Sequence, residues 1–309
     1  LMLSLEYSER SLEVQRGVEM EESKQRRLNQ PYGDIGHLLR PLAYQTHPYQ
    51  WPTIGKELSH IANATLEEVK AFFFRFYAPN NAILAVTGNI SFEEAVALTE
   101  KWFGSIPRRE VPQRNLPQEQ EQTEERRLTV ERNVPLDSLF MAYHMPAHCH
   151  PDYYAFDILS DVYRNRRSSR LNQHFVHQKQ LFSSIDAYIS GSVDAGLFHI
   201  SGKPSAGVTL EQAEAAVREE LELLQQELVD EQELEKVKNK FESTQIFGNI
   251  NYLNVATNLA WYELLGRAED MEKEVDRYRS VTAEQLRAVA QSAFRKENGV
   301  ILYYKKQQN

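Results

Sequence analysis

Cysteine is nearly absent: Cys149 stands alone among 309 residues, which excludes an intramolecular disulfide framework and any metal site built from clustered thiolates. Long apolar runs are missing too. The most conspicuous, Ala82-Ile-Leu-Ala-Val86, falls far short of the roughly 20 residues that cross a bilayer, so no membrane partner is expected. Positive charge is in deficit, 35 Lys and Arg against 44 Asp and Glu for a net −9. Such a field repels phosphate backbones and argues against a nucleic-acid partner. No G-x-G-x-x-G, G-K-[ST] or G-x-S-x-G string occurs, which leaves a phosphate loop and an elbow serine without support. The opening Leu1-Met-Leu-Ser-Leu-Glu6 has no basic n-region and no sustained apolar core, so it does not read as a signal peptide. Leu1 reads instead as a point entered in mid-fold. An intracellular, cytoplasmic address is expected, and the periplasm stays open because a leader upstream would leave no trace.

What is present is enough apolar residue, 41%, to bury two cores, and the length points to two domains. Residues 5 to 30 are charged, with Leu12, Val18 and Met20 on one helical face, and the helix should run to about Asn29. Pro31-Tyr-Gly-Asp34 breaks it, and a Pro- and Gly-punctuated loop holds His47 to Gly55. Thr65 with Glu68 is a capping-box pair ahead of a helix. Ala82 to Thr87 reads as a buried strand between asparagine and glycine turns. Ser91 with Glu94 caps another helix that ends near Gly104.

From Ser105 to Arg127 the chain turns to Pro, Gln, Glu and Arg, the composition of a semi-extended linker. Beyond it, Arg127 to Arg132, Leu139 to Tyr143, Ile185 to Ser190 and Ala195 to Gly202 pattern as strands, and Asp152 to Tyr163 as a helix. Thr209 with Gln212, and Asp230 with Glu233, cap two further helices. The domains expected are 1–106, a linker 107–126, and 127–309.

An internal repeat ties the halves together. Thr65-Leu-Glu-Glu-Val and Thr282-Ala-Glu-Gln-Leu lie 282 − 65 = 217 apart, and the same offset lays Asn81-Ala-Ile-Leu on Asn298-Gly-Val-Ile. Capped helix, asparagine turn and strand recur without a gap, which indicates duplication. Only 64 residues precede Thr65, whereas 155 separate Arg127 from Thr282. The comparison leads us to expect about 90 more residues ahead of Leu1 in the first domain.

Glu21-Glu22 with Pro31-Tyr-Gly, His47-Pro-Tyr with Pro52 and Gly55, Phe76-Tyr-Ala-Pro-Asn-Asn-Ala82 and Trp102-Phe-Gly-Ser-Ile-Pro107 together resemble the insulinase/pitrilysin family of zinc peptidases. Its bacterial members similar to mitochondrial processing peptidase share these strings, and Ser168-Ser-Arg-Leu171 and Gly196-Leu-Phe198 extend the likeness to the second half. The fold implied is α+β: two homologous α/β domains, each an antiparallel-rich sheet with helices packed on one face, the first of them truncated.

In that family an inverted H-x-x-E-H helix gives two zinc-binding histidines and a catalytic glutamate, and a glutamate on a later helix is the third ligand. The family's E-R-x-V-x-x-x-E pattern places that ligand at Glu22, with Arg16 and Val18 also matching. Gln15 stands where the pattern has its first glutamate, so Gln15 and Glu21 are expected beside the ligand as supporting residues. None of the nine histidines, at 37, 47, 60, 144, 148, 150, 174, 177 and 199, forms H-x-x-E-H. The motif, and with it every catalytic residue, is expected upstream of Leu1.

The resemblance therefore implies a zinc-dependent metalloendopeptidase acting on unfolded peptides, inactive as this chain alone. It also allows a homodimer or a heterodimer with a family member. The competing reading is a non-catalytic peptide-binding or assembly partner of the same family. His148-Cys-His150 reads as a turn, His174 and His177 as packing or surface residues, and Arg164, Arg166, Arg167 and Arg170 as a solvated helix start or a substrate-facing patch.

Overall fold

Helix signals and strand patterns meet in a computed structural model that describes residues 8–164, 170–191 and 193–307. Arg166, Arg167, Ser168 and Ser169 lie outside the described residues, and with them the core of the basic cluster and half of the Ser168–Leu171 string. In chain order the helices are α1 (Glu9–Arg27), α2 (Ile35–Ala43), α3 (Leu58–Ala62), α4 (Leu66–Phe76), α5 (Phe92–Phe103), α6 (Tyr153–Tyr163), α7 (Leu210–Gln226), α8 (Glu231–Gly248), α9 (Tyr252–Leu265), α10 (Glu274–Ser280) and α11 (Ala283–Ala293). The strands are β1 (Arg126–Arg132), β2 (Ser138–Met145), β3 (Phe182–Ser190), β4 (Gly196–Pro204) and β5 (Gly299–Lys306).

Two compact units result, and they follow space rather than sequence. Residues 31–51 join 117–244 and 274–309 in one, while residues 245–273 join 1–30 and 52–116 in the other. The linear division at 107–126 thus differs from the observed grouping by two excursions. The stretch 107–123 runs with neither helix nor strand, but its second half is anchored. Glu119 accepts hydrogen bonds from the backbone N–H groups of Gln45, Thr46 and His47 at 2.8 to 2.9 Å. Gln122 is buried and donates to the carbonyls of Glu297 (2.8 Å) and Gly299 (2.9 Å).

The second unit is built on a five-stranded sheet of order β1-β5-β2-β4-β3, in which only the β1–β5 pair is parallel. The unbroken run Val300-Ile301-Leu302-Tyr303-Tyr304 is buried throughout, as a strand covered on both faces must be. Ile301 and Tyr303 point into a large core with residues of β2, α6, α7 and α11. Val300, Leu302 and Tyr304 face the other way, against Leu39, Ala43 and Tyr44 at the end of α2. Helices therefore cover both faces of this sheet, not one as expected. The reason is α2, whose apolar stripe needs a sheet to bury it.

The first unit departs further. Residues 82–87, expected as a buried strand, pair with nothing among the described residues, and Ile83, Leu84 and Val86 are 43%, 58% and 49% exposed. No strand is present in this unit among the described residues, so the expected sheet is seen in the second half only. A strand is stable when neighbours satisfy its N–H and C=O groups, and none is supplied here.

The repeat reaches further than its sequence signature. Adding 217 to α4 (66–76) gives 283–293, the bounds of α11, and adding it to the 3-10 turn Pro79–Asn81 gives that at Lys296–Asn298. The start of α2 at Ile35 maps to 252, the start of α9. The caps repeat: Thr65 accepts from the N–H of Glu68 at 3.3 Å and Thr282 from that of Gln285 at 3.2 Å. So does the turn, where the Asn81 amide donates to Phe76 O and the Asn298 amide to Ala293 O, both at 2.8 Å.

Equivalent positions in the two copies should therefore respond differently to truncation. Ile301→Ala removes methyl groups from a packed core (1% exposed) and is expected to cost about 2 to 5 kcal/mol. Its counterpart Leu84→Ala should cost no more than about 0.5 kcal/mol. Urea unfolding of the two variants is the check, and equal losses would contradict this account.

Candidate functional site

The helix that carries Glu22 is locally well specified. Ser8 and Ser11 form a reciprocal capping box at the N-terminus of α1, with Glu9 in the first turn and Lys24, Arg26 and Arg27 in the last, charges that oppose the helix dipole at each end. Arg16 fastens α1 by donating from Nη2 to Ala64 O at 2.8 Å, and it also pairs with Glu13. Ser23 is buried in the same unit. Glu22 sits beside this packed face with its side chain 41% exposed and its Oε1 2.6 Å from Arg26 Nη2, one turn on. Gln15 gives its amide to Glu19 at 2.8 Å rather than to Glu22, and Glu21 is exposed. Of the three positions, only Glu22 is both accessible and already paired with a cation.

A catalytic zinc needs three protein ligands and an open position. Among the described residues no group of three His, Cys, Asp or Glu side chains is placed to hold a metal. Glu22 is a half-exposed carboxylate, and the described residues bring no second and third ligand beside it.

The remaining polar clusters pair charged groups with one another and read as structural. Arg127 grips Glu214 at 2.9 and 2.5 Å and Glu125 at 2.7 Å, Arg218 reaches both carboxylates, and Tyr303 donates to Glu214 at 2.6 Å. Glu125, Arg127, Glu214 and Arg218 line a cavity of about 390 Å³, with Tyr143 among its other lining residues. On α6, Asp157 accepts from Tyr278 at 2.6 Å and Asp161 pairs with Lys240 of α8. Burial raises the pKa of Asp157. His47 takes the N–H of Tyr49 on Nδ1 (3.1 Å), which leaves Nε2 to donate to Asp194 (3.1 Å).

His148-Cys149-His150 is a turn, as its composition indicated: the His148 ring packs on Tyr153 with centroids 4.3 Å apart, and His150 Nδ1 accepts from the N–H of Asp152. His174 has a partner that the sequence did not disclose, the buried Glu220 at 3.0 Å. The two lie 46 residues apart, and no local pattern links them.

Residues 63–241 match the family described as Peptidase M16 inactive domain. The zinc protease PqqE of Helicobacter pylori is 29% identical over 242 residues, 77% of this chain and 54% of that protein. The uncharacterized zinc protease YmxG of Bacillus subtilis is 24% identical over 298 residues, 96% of this chain and 71% of that one. Among solved structures, a protease from H. pylori superimposes with a TM-score of 0.91 at 26% identity, covering 98% of this chain and 73% of its own. The chain thus spans about half the length of the PqqE relative.

Two titrations follow from the geometry of the second unit. Burial opposes ionisation of Glu214, but donors from Arg127, Tyr303 and Arg218 outweigh it and hold the carboxyl at about 2. Burial, with Arg40 nearby, pushes His199 down to about 4. Both groups bind more protons unfolded than folded at acid pH, so both contributions are lost as pH falls. Stability should drop first between about pH 6.5 and 4 through His199, then from about 4.5 towards 2 through Glu214. Glu214→Gln should flatten the lower limb alone, as read from urea midpoints across pH; an unchanged profile would remove Glu214 from the account.

Proposed function

Because the chain belongs to the M16 peptidase family, we propose that it is the portion of a zinc metalloendopeptidase that contributes the carboxylate ligand Glu22 and a second, metal-free domain. The two histidines and the general-base glutamate come, in this reading, from polypeptide outside these 309 residues. The observation that carries it is Glu22 itself: a half-exposed carboxylate on a capped, anchored helix, at the family pattern's ligand position. Relatives named as zinc proteases support the same assignment.

Zinc bound at such a site polarises the scissile carbonyl and lowers the pKa of its water. The part played by this chain is positional. Arg16, through Ala64 O, and the Ser8 cap fix α1, and Arg26 orients the Glu22 carboxylate. The substrate class proposed is unfolded peptide, on the strength of the family resemblance. A cytoplasmic address and a dimer, of like chains or with a family member, belong to the same reading. A second reading, a non-catalytic peptide-binding or assembly partner, is favoured by the match to a domain described as inactive.

The purified 309-residue chain should hold well under one zinc and cleave no peptide. The same chain with the histidine-bearing segment supplied should hold about one, and Glu22→Gln should weaken zinc binding at least about 100-fold. Elemental analysis and a fluorogenic peptide assay give the readout. A supplied segment that binds no zinc, or a Glu22→Gln variant that binds it normally, would favour the second reading.

A further inference from the structure

The Arg127–Glu214 network spends its groups on one another, yet the cavity it lines also holds donors that the network leaves unused. Tyr143 is fully buried on β2, between Phe198 of β4 and Gly299 of β5. Among the described residues nothing pairs with its hydroxyl. A buried hydroxyl left unmatched costs free energy that a partner restores, so a phenol held in this way at a cavity wall calls for an acceptor. Its place is fixed from two sides. A Cβ at Gly299 would lie 3.5 Å from Tyr143 Cε1 and 3.5 Å from Glu125 Oε2, so an edge of the ring and that carboxylate flank one backbone position. The charges that act on the phenol are Arg218, Glu125 and Glu214, and all three line the cavity of about 390 Å³. Burial pushes the phenol pKa up, which keeps the hydroxyl a donor.

Two more donors belong to the same wall. Arg218 gives Nε to Glu214 at 2.7 Å and Nη2 to Glu125 and Glu214, and its Nη1 meets no acceptor among the described residues. Lys296 lines the cavity, is exposed, and its ammonium has no partner among the described residues. Arg295 differs, being held by Glu121 at 2.9 Å. Leu221 and Phe294, 2% and 5% exposed, give the wall its apolar part. The lining thus offers three unused donors of which two are cationic, beside an apolar surface, in a volume towards the lower end of the roughly 300 to 1,000 Å³ that small-molecule pockets occupy. Glu125, Glu214 and Glu222 share the lining and would repel a dianion, whereas one ammonium left without a carboxylate answers a single negative charge.

We propose that this cavity binds a small organic monocarboxylate, whose carboxylate accepts from the Tyr143 hydroxyl, Arg218 Nη1 and the Lys296 ammonium while its apolar body lies on Leu221 and Phe294. The salt-bridge network is then the frame that holds Arg218 in place, and the hydroxyl of Tyr143 gains the acceptor it lacks. Charge-assisted bonds from a guanidinium and an ammonium supply the attraction, and the hydrocarbon part supplies the discrimination against inorganic anions. The site lies wholly in the second unit, so it stands apart from Glu22 and from zinc.

Isothermal titration of the 309-residue chain with phenylbutyrate tests this, with phenylbutanol as the uncharged counterpart and inorganic phosphate as an anion without an apolar body. Phenylbutyrate should bind saturably with a Kd of about 1 mM or tighter, and the alcohol at least about tenfold more weakly. Tyr143→Phe, which removes one donor and no ring, should leave the urea midpoint no lower and weaken phenylbutyrate about fivefold or more. Lys296→Gln, at an exposed position, should weaken it by a similar factor. No saturation by about 10 mM acid would overturn the proposal, and so would equal binding of acid and alcohol, which reduces the site to an apolar cleft. Phosphate bound as tightly as the acid would overturn the carboxylate assignment. Normal binding by Tyr143→Phe, or a lowered midpoint showing that the hydroxyl was already bonded, counts against it equally. Should that variant not fold, unchanged binding by Lys296→Gln decides against the site. None of these outcomes touches the zinc reading of Glu22.

Discussion

Burial of β5 on both faces is the constraint on which the second unit depends. A strand flanked by β1 and β2 satisfies its backbone groups, but its five apolar residues from Val300 to Tyr304 face in two directions and need two layers of cover. One layer comes from α6, α7 and α11. The other is α2, more than 250 residues away in the chain, fastened where the Tyr304 hydroxyl donates to Asp34 at its N-cap (2.7 Å). The anchoring of 117–125 by Glu119 and Gln122 follows from this, since both clasp the loop after α2 or the turn before β5.

The first unit shows the same module without that constraint being met. Thr87, the counterpart of Tyr304, donates to Tyr252 O beside the Asn251 cap of α9 at 2.7 Å. The end of the strand-like run is thus hydrogen-bonded to the start of a helix in both copies. Between those ends, residues 83–86 make no sheet among the described residues. Helix formation is largely a local matter of caps and periodicity, while a strand exists only through its neighbours, which is why α4 keeps its form and 82–87 does not.

The sequence was readable where structure is local. The capped helices α4, α5, α7 and α8 lie where Thr65, Ser91, Thr209 and Asp230 announced them. Helix α2 was hidden by Pro31, Gly33, Gly36 and Pro41, punctuation that tertiary burial overrides. Helix α9 was hidden because apolar residues surround it on all sides and leave no amphipathic period. Residues 82–87 had the right local pattern for a strand, and pattern says nothing about whether a partner is at hand. Glu22 is singled out only by the family's helix pattern, since a carboxylate on a charged helix carries no signal of its own. The Glu214 network and the His174–Glu220 pair, assembled from distant segments, had no sequence signal at all.

The borrowed helix α2 has a practical corollary for anyone dividing the protein. No single cut yields the second unit whole, because its sheet lies in 117–306 and one of its two coverings in 35–43. A fragment starting at Pro117 would present Val300, Leu302 and Tyr304 to water as a bare hydrophobic plane and lose the three N–H groups that hydrogen-bond to Glu119. Such a fragment would be prone to stick to itself, and its insolubility would report a missing lid rather than an unstable core.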